Sequence, residues 1–217
     1  MNLYYKDIPS DTLFDYEGFY SRMAEQMPNN AIIAEVGLAD GRSMIFLASI
    51  LMHLGKSFTL YAIDNFDYGG EYQKNVIEGH IASSGVRNVK LIEASSLDAS
   101  CMFEDNYFDF VYIDASHKYE QTKADILLWE RKVKEGAILA GHDYLSAENE
   151  GVGRAVREMI VAEKLRTEDT DRGHGLWWTV KEKIISANEI KKIIAEKDER
   201  ITELNHRVLT LLKINNL

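Results

Sequence analysis

Five short apolar segments, each followed by a stretch of helical character, constrain the fold of this 217-residue chain more than any other feature. The segments are rich in β-branched and aromatic residues and lack polar alternation, which is typical of strands buried on both faces of a sheet. Their alternation with helices predicts a Rossmann-like, doubly wound α/β fold with a mostly parallel sheet. The predicted strands are Ala31–Val36, Phe58–Ile63, Val89–Ile92, Phe108–Ile113 and Ala137–Ala140, and the helical stretches lie near 42–54, 71–84, 96–103, 118–134 and 151–164.

The ends of the chain depart from this alternation. Residues 1–30 are predicted to form an N-terminal helical segment that ends near Pro28. The α/β domain is expected to span 31–182, and Leu176–Val180 is predicted to be an antiparallel edge strand.

The C-terminal stretch 186–215 is predicted to be a separate α-helix. Its apolar residues recur at alternating spacings of three and four, which favours a parallel two-stranded coiled coil and a homo-oligomer formed through this helix. The alternative is an amphipathic helix that folds back on its own domain. The seam residues are Ala187, Ile190, Ile194, Lys197, Ile201, Leu204, Val208 and Leu211.

Charge and composition narrow the classes of partner. The first 180 residues carry 29 acidic against 17 basic side chains, so the domain would repel a nucleic-acid backbone. The single cysteine, Cys101, cannot form an internal disulfide, which fits a reducing compartment. No secretory signal is recognisable, and the longest apolar run, Met44 to Met52, is shorter than the ~20 residues of a membrane span. We therefore expect a cytoplasmic protein with neither a nucleic-acid nor a membrane partner.

A glycine-containing turn follows the first predicted strand. Gly37 and Gly41 allow a sharp turn and a close approach of the backbone to a ligand, and the N–H groups of the next helix would face that ligand. The dinucleotide pattern G-x-G-x-x-G is absent, because Ala39 occupies the position of its second glycine. The second strand ends at Asp64, whose carboxylate is placed to bind a ribose diol or to cap the following loop.

Several segments in the same order resemble class I methyltransferases. The first motif, Glu35-x-Gly37-x-x-x-Gly41-x-Ser43, resembles that of the small-molecule O-methyltransferases typified by catechol O-methyltransferase. The stretch from Asp114 to Tyr119 fits the D-x-x-H-x-Y pattern of a bacterial family that includes cephalosporin hydroxylase-like proteins and macrolide-sugar O-methyltransferases. The resemblance covers about residues 31–180, and its further segments are Glu93–Ser96, Gly136–Tyr144 and Gly151–Val156.

This resemblance implies S-adenosylmethionine as the cofactor and a seven-stranded sheet. Gly37, Gly41 and Ser43 would hold the methionine end, with Glu35 buried beneath the loop. Asp64 would bind the ribose, Ser95 would face the adenine, and Asp114 would lie near the cofactor amine. Leu38 and Asn65 complete the predicted cofactor-binding set.

The resemblance further implies a divalent cation, Mg²⁺ or another, at Asp114, His142 and Asp143. Two of these residues offer the oxygen ligands of hard cations, whereas the imidazole of His142 shifts the preference toward Mn²⁺, Fe²⁺ or Zn²⁺. The alternative is that Asp143 caps a loop and His142 makes a hydrogen bond within the fold. His117, three residues after Asp114, is the candidate catalytic base, since an ordinary histidine pKa of ~6.5 suits proton transfer near neutrality.

The predicted function is methyl transfer from S-adenosylmethionine to an oxygen of a small molecule, with a sugar or natural product as the expected acceptor. Two alternatives remain from the sequence. One is an NAD-dependent oxidoreductase on a similar sheet, which the glycine pattern disfavours. The other is a non-catalytic scaffold that keeps the fold and works through its coiled coil.

Overall fold

A computed structural model describes residues 4–8 and 14–182, together with residues 195, 197, 199 and 200. A short 3₁₀ helix at Tyr4–Asp7 precedes the regular elements. The helices are α1 (Glu17–Gln26), α2 (Arg42–His53), α3 (Gly70–Ser84), α4 (Ser96–Cys101), α5 (Tyr119–Lys132) and α6 (Glu150–Met159). The strands are β1 (Ala31–Val36), β2 (Phe58–Asp64), β3 (Val89–Glu93), β4 (Phe108–Ile113), β5 (Val133–Gly141), β6 (Arg166–Glu168) and β7 (Leu176–Val180).

The strands form one seven-stranded sheet in the order β3-β2-β1-β4-β5-β7-β6. The pairs within β1 to β5 are parallel, whereas β7 runs antiparallel to both β5 and β6. From β1 the chain builds β2 and β3 on one side, and then crosses to build β4 and β5 on the other. The predicted Rossmann-like α/β class with a mixed seven-stranded sheet is therefore confirmed.

One detail of the predicted sheet is wrong. Leu176–Val180 is antiparallel as expected, but it lies between β5 and β6 and is not at the edge. The edge position belongs to Arg166–Glu168, three polar residues without a strand-like apolar pattern. They pair with β7 through the backbone, an interaction that side-chain periodicity does not report.

Side chains on the two faces of the sheet belong to two apolar clusters. Along β1, Ile33 belongs to one cluster and Ala34 to the other, as expected for neighbouring residues that point to opposite faces. Helices α1 and α2 contribute to the first cluster, for example through Phe19 and Met44. Helices α5 and α6 contribute to the second, which contains the fully buried Trp129. Both faces are thus covered, and the carboxyl ends of the parallel strands are left to form a site.

The chain divides into two units, Met1–Lys181 and Glu182–Leu217. In the second unit, residues 195, 197, 199 and 200 are helical, and the predicted coiled coil otherwise lies outside the described residues. The proposed division into 1–30, 31–182 and 186–215 stays a prediction. Within the described part of the chain, no helix has both the length and the apolar character needed to cross a membrane.

Candidate active site

The candidate site lies where the order of strands reverses. Strand β1 pairs with β2 on one side and with β4 on the other, so the segments leaving β1 and β4 diverge and open a crevice. A cavity of about 1200 Å³ occupies this region. Every predicted site residue except Glu35 and Gly41 lines it, namely Gly37, Leu38, Ser43, Asp64, Asn65, Ser95, Asp114, His117, His142 and Asp143.

The turn after β1 requires glycine at its first position. Gly37 has a φ of +88°, and a Cβ atom there would lie 2.0 Å from the backbone oxygen of Asp114. This close packing joins the glycine loop to the end of β4, where the Asp114 N–H donates to Val36 O at 2.8 Å. Gly41 is the N-cap residue of α2 and has no side chain, so it provides no side-chain acceptor for the first N–H groups of that helix. The turn therefore has the form that anion binding at a helix N-terminus needs.

Glu35 is buried beneath this loop, as the resemblance implied. Its side chain accepts a hydrogen bond from Tyr20 at 3.0 Å and another from Ser43 in the first turn of α2. Burial raises the pKa of Glu35 to about 7, although these two hydrogen bonds oppose the rise. The carboxylate therefore ties the end of β1 to both α1 and α2.

Asp64 has the loop-capping role that the sequence left open and keeps acceptor capacity on the cavity side. One carboxylate oxygen accepts the N–H of Leu38 at 2.8 Å, and the other accepts the N–H of Phe66 at 2.7 Å. These bonds fix the glycine loop against the end of β2, which is the loop-capping role. Each carboxylate oxygen has a second lone pair, and the residue lines the cavity, so a ribose diol remains within its hydrogen-bonding capacity.

Two other predicted cofactor residues are engaged in local structure. The Ser95 side chain caps α4 by accepting the Asp98 N–H at 3.1 Å and also donates to the Asp98 carboxylate at 2.6 Å. Asn65 donates to the carboxylate of Asp67 at 2.7 Å. Both residues line the cavity, but their side chains already have protein partners.

Three side chains from the ends of β4 and β5 converge on the other side of the cavity. Nε2 of His117 lies 3.0 Å from Oδ2 of Asp143 and 3.7 Å from Oδ1 of Asp114. One ligand atom from each of these residues falls within a group no wider than 4.8 Å, the spacing expected around one metal ion. Asp143 has a φ of +62°, a conformation that aspartate tolerates better than most residues.

The predicted third ligand, His142, lies beside the same two carboxylates. Its Nδ1 is 3.7 Å from Oδ2 of Asp114 and 3.7 Å from Oδ1 of Asp143. The ring is buried and packs against Tyr16, whose hydroxyl also donates to Asp114 at 3.4 Å. Its other nitrogen faces Asp15, at 3.3 Å. The predicted set is thus brought together, although His117 approaches the two carboxylates more closely than His142 does.

The pKa of His117 differs from the ordinary histidine value expected from the sequence. The carboxylates of Asp114 and Asp143 raise the pKa of His117 to about 10, although partial burial opposes the rise. Burial would raise the pKa of Asp143, but the hydrogen bond with His117 and the proximity of His142 lower it to about 2. His117 is therefore an imidazolium at neutral pH in this arrangement, and an imidazolium cannot accept a proton.

Sequence reasoning missed two members of this cluster, Asp15 and His174. Nδ1 of His174 lies 3.1 Å from Oδ1 of Asp143, and its ring stacks on His142 at 5.8 Å between centroids. The glycines on either side of His174 were the only local signal. Asp15 comes from the N-terminal segment and carries no recognisable motif.

The loop that carries His117 is held by the segment around α6. Gly151 leaves so little room that a Cβ atom there would lie 2.7 Å from the backbone oxygen of His117. The guanidinium of Arg154 lies over the ring of Tyr119, 3.9 Å from its centroid. The Gly151–Val156 segment therefore supports the Asp114–Tyr119 segment from behind.

A family described as a methyltransferase domain matches residues 34–144, just over half of the chain. The chain belongs to this methyltransferase family. The matched range contains the glycine loop and the strand ends that carry Asp114 and Asp143. The prediction of a class I methyltransferase that uses S-adenosylmethionine is thereby confirmed. A search of curated protein sequences gives no match.

Solved structures share the fold of this methyltransferase at low sequence identity. A cofactor-bound protein from MTB, Rv0187, is 19% identical with a TM-score of 0.64, and the match covers 83% of this chain and 87% of that one. An O-methyltransferase from Bacillus cereus in complex with SAH is 16% identical with a TM-score of 0.60, covering 81% and 86%. CalS11, a TDP-rhamnose 3′-O-methyltransferase of calicheamicin biosynthesis, is 18% identical with a TM-score of 0.57, covering 76% of each chain.

The residues of this methyltransferase fit its cofactor and a cation. The cavity joins the uncapped N-terminus of α2 to the carboxylate of Asp64, which suits a ligand with an anionic end and a diol. Asp114 and Asp143 supply oxygen donors, with histidine nitrogens beside them, a donor set that suits a first-row divalent metal.

Proposed function

We propose that this methyltransferase transfers the methyl group of S-adenosylmethionine to a hydroxyl oxygen of a small molecule, with a divalent cation assisting. The observation that carries the proposal is the single cavity, which contains both the glycine loop after β1 and the carboxylate–histidine cluster after β4 and β5. Cofactor binding and proton chemistry would therefore take place side by side. A sugar or another polyhydroxylated natural product is the proposed acceptor class.

In this proposal, the glycine loop and the first turn of α2 bind the methionine end of the cofactor. Gly37, Leu38, Gly41 and Ser43 form that region, and Glu35 holds Ser43 from below. The carboxylate of Asp64 binds the ribose while it keeps its two backbone hydrogen bonds. Asn65 and Ser95 border the nucleoside part of the cavity through their positions.

The reaction is an in-line displacement at the methyl carbon. The acceptor oxygen forms the new C–O bond as the C–S bond breaks, and the departing thioether keeps the electron pair. The hydroxyl proton must leave the acceptor, so the protein's tasks are to align the oxygen and to remove this proton. Both tasks require charged groups at the cavity wall next to the methyl group, where Asp114 and His117 lie in this proposal.

Asp114, Asp143 and His142 would hold the cation. When bound, the cation would lower the pKa of the acceptor hydroxyl and fix its position. His142 suits the role of a ligand because its ring is only 3% exposed and faces both carboxylates. Bound S-adenosylmethionine and the acceptor would occupy the remaining volume of the cavity.

His117 would take the proton. Its side chain is 43% exposed toward the cavity, which leaves it accessible to an acceptor. The pKa of His117 is high because the carboxylates of Asp114 and Asp143 face it. Neutralising these carboxylates would lower this pKa and leave a neutral imidazole as the base. In the absence of a cation, the imidazolium of His117 would thus supply the positive charge that balances the two carboxylates.

CalS11 offers a precedent for the acceptor class, since it is described as acting on a nucleotide-linked rhamnose. Other neighbours of similar fold are described as rRNA methylases, so the fold alone does not select the acceptor. The choice here rests on charge: a domain that carries 29 acidic and 17 basic side chains over its first 180 residues disfavours a polyanionic acceptor.

Calorimetric titration of the full chain tests the cofactor assignment. S-adenosylmethionine and its demethylated product are expected to bind, whereas NAD⁺ is not. Binding of NAD⁺ alone would support the oxidoreductase alternative, and binding of none of these compounds would support a scaffold. Transfer of a labelled methyl group to a panel of glycosides and RNA would then identify the acceptor class.

Titration with Mn²⁺ alone separates the ligands from the base. Asp143→Ala is expected to lose Mn²⁺ binding, whereas His117→Ala should keep or increase Mn²⁺ affinity, because a competing positive charge is removed, and should lose turnover. His53→Ala is the matched control, since His53 is exposed in the last turn of α2 and does not line the cavity. A loss of Mn²⁺ affinity in His117→Ala equal to that in Asp143→Ala would make His117 a ligand and refute its role as the base.

A further inference from the structure

Asp15, from the segment just before α1, forms a buried pair with His142. Oδ1 of Asp15 lies 3.3 Å from Nε2 of His142, and the side chains are 5% and 3% exposed. By hydrogen-bond geometry, neither atom has a partner among the described residues, so the two atoms are close without a formed hydrogen bond between them. Burying a carboxylate oxygen and an imidazole nitrogen without partners is unfavourable, so each atom is the natural partner of the other.

The opposite nitrogen of the same ring faces acceptors only. Nδ1 of His142 is 3.7 Å from one oxygen each of Asp114 and Asp143. A neutral imidazole has one donor nitrogen and one acceptor nitrogen. If Asp15 holds the proton at Nε2, the lone pair at Nδ1 points toward two carboxylates. Such a convergence of lone pairs is stable only with a positive charge between them.

The orientation of this pair is fixed from several sides. The other oxygen of Asp15 accepts the N–H of Arg172 at 3.2 Å, in the loop that also carries His174. The ring of His142 lies between Tyr16, at 5.0 Å, and His174, at 5.8 Å between centroids. The ring therefore has little freedom to turn its Nδ1 away from the two carboxylates.

We propose that Asp15 is a positioning residue that orients His142 as a nitrogen ligand of the divalent cation, an inference that rests on the proposed metal-assisted function. A carboxylate that accepts the second N–H of a metal-bound histidine fixes the tautomer and the ring orientation and increases the basicity of the ligand. The segment before α1 would thus complete the metal site, from a part of the chain with no metal-binding motif. Asp15 itself is not among the residues that line the cavity.

Titration of the full chain with Mn²⁺ alone tests this role. In Asp15→Asn, an amide N–H can face Nε2 and shift the ring proton to Nδ1, which blocks the ligand atom. Mn²⁺ affinity should fall by about 10- to 100-fold, the usual effect of removing such a partner. Binding of S-adenosylhomocysteine and the thermal midpoint should stay as in the wild type. Glu25→Gln is the matched control, since Glu25 is an exposed carboxylate on α1.

Pulsed electron paramagnetic resonance of bound Mn²⁺ supplies a signature that a structural role would not change. It detects nitrogen ligands through their ¹⁴N coupling, and His142→Gln identifies the part that His142 contributes. Asp15→Asn should lose the same part of the coupling. Asp15→Ala, which also removes the partner, should behave in the same way.

Each contrary result has a distinct meaning. Wild-type Mn²⁺ affinity in Asp15→Asn would overturn the role of Asp15 and leave the proposed function intact. An unchanged ¹⁴N coupling in His142→Gln would overturn it as well, because His142 would then not be a ligand. Wild-type protein that binds S-adenosylhomocysteine but no Mn²⁺ would refute the metal-assisted part of the proposed function together with this inference. Joint loss of folding and cofactor binding in both Asp15 variants would make Asp15 a structural residue only.

Discussion

Glu35 is expected to make the stability of the fold depend on pH. Its side chain is 1% exposed, and burial raises its pKa from 4.5 to about 7. The folded protein therefore holds this proton more tightly than the unfolded chain does. Hydrogen bonds from Tyr20 and Ser43 soften the effect but do not cancel it. Deprotonation of Glu35 should accordingly weaken the fold.

The size of this effect follows from the two pKa values. A group whose pKa is raised on folding stabilises fully below its unfolded pKa, and the contribution is lost as the pH rises through its folded pKa. For Glu35 the window runs from 4.5 to about 7. At ~1.4 kcal/mol per pKa unit, the full loss across this window is about 3 kcal/mol.

Urea unfolding of the wild type and of Glu35→Gln at a series of pH values isolates this contribution. Glutamine has the same shape and does not titrate, so the difference between the two curves reports Glu35 alone. The free energy of unfolding of the wild type should fall relative to Glu35→Gln by about 3 kcal/mol from weakly acidic to weakly alkaline pH. Parallel curves across this range would refute the argument, because they would mean that Glu35 has the same pKa folded and unfolded.

Three further substitutions test the packing and charge of the site. Gly37→Ala should lower the thermal midpoint and abolish cofactor binding, because the new Cβ would lie 2.0 Å from the Asp114 backbone oxygen. The left-handed backbone conformation of this position would cost alanine a further ~1–2 kcal/mol. Unchanged cofactor binding would contradict this prediction. Asp143→Asn should lower the pKa of His117 from about 10 toward its ordinary value in metal-free protein, and an unaltered NMR titration would count against the pairing. Gly151→Ala should displace the His117 loop, seen as shifted His117 ring resonances; a spectrum like that of the wild type would show that the loop does not depend on this packing.

The fold was largely predictable because its main signal is local. Strands buried on both faces are mostly apolar, and β1, β2 and β4 could be predicted from their apolar composition. Strand β6 could not, because Arg166–Glu168 is polar and is held by backbone pairing to β7. The position of β7 inside the sheet depends on that same pairing.

The residues of the candidate site also differ in whether the local sequence could predict them. The glycine loop and Asp64 could be predicted because loop conformation and strand ends leave local traces. Asp15 could not, since it meets His142 only after the sheet has brought distant parts of the chain together. The capping role of Ser95 did have a signal, a serine followed three residues later by Asp98, which is typical of a helix N-terminus.

In the proposed function, protons and a cation would compete for the same carboxylates in this site. Asp143 contacts His117 at 3.0 Å and His174 at 3.1 Å, and Asp114 lies within 3.7 Å of both His117 and His142. The protonated imidazole of His117 supplies part of the positive charge that a cation would otherwise supply. A cation bound by Asp114 and Asp143 would therefore displace the proton of His117, so the affinity of the site for Mn²⁺ should increase with pH. The high pKa of His117 and its proposed role as a base are then compatible. The cation that would make the acceptor hydroxyl more reactive would also neutralise the two carboxylates and so release the proton from His117.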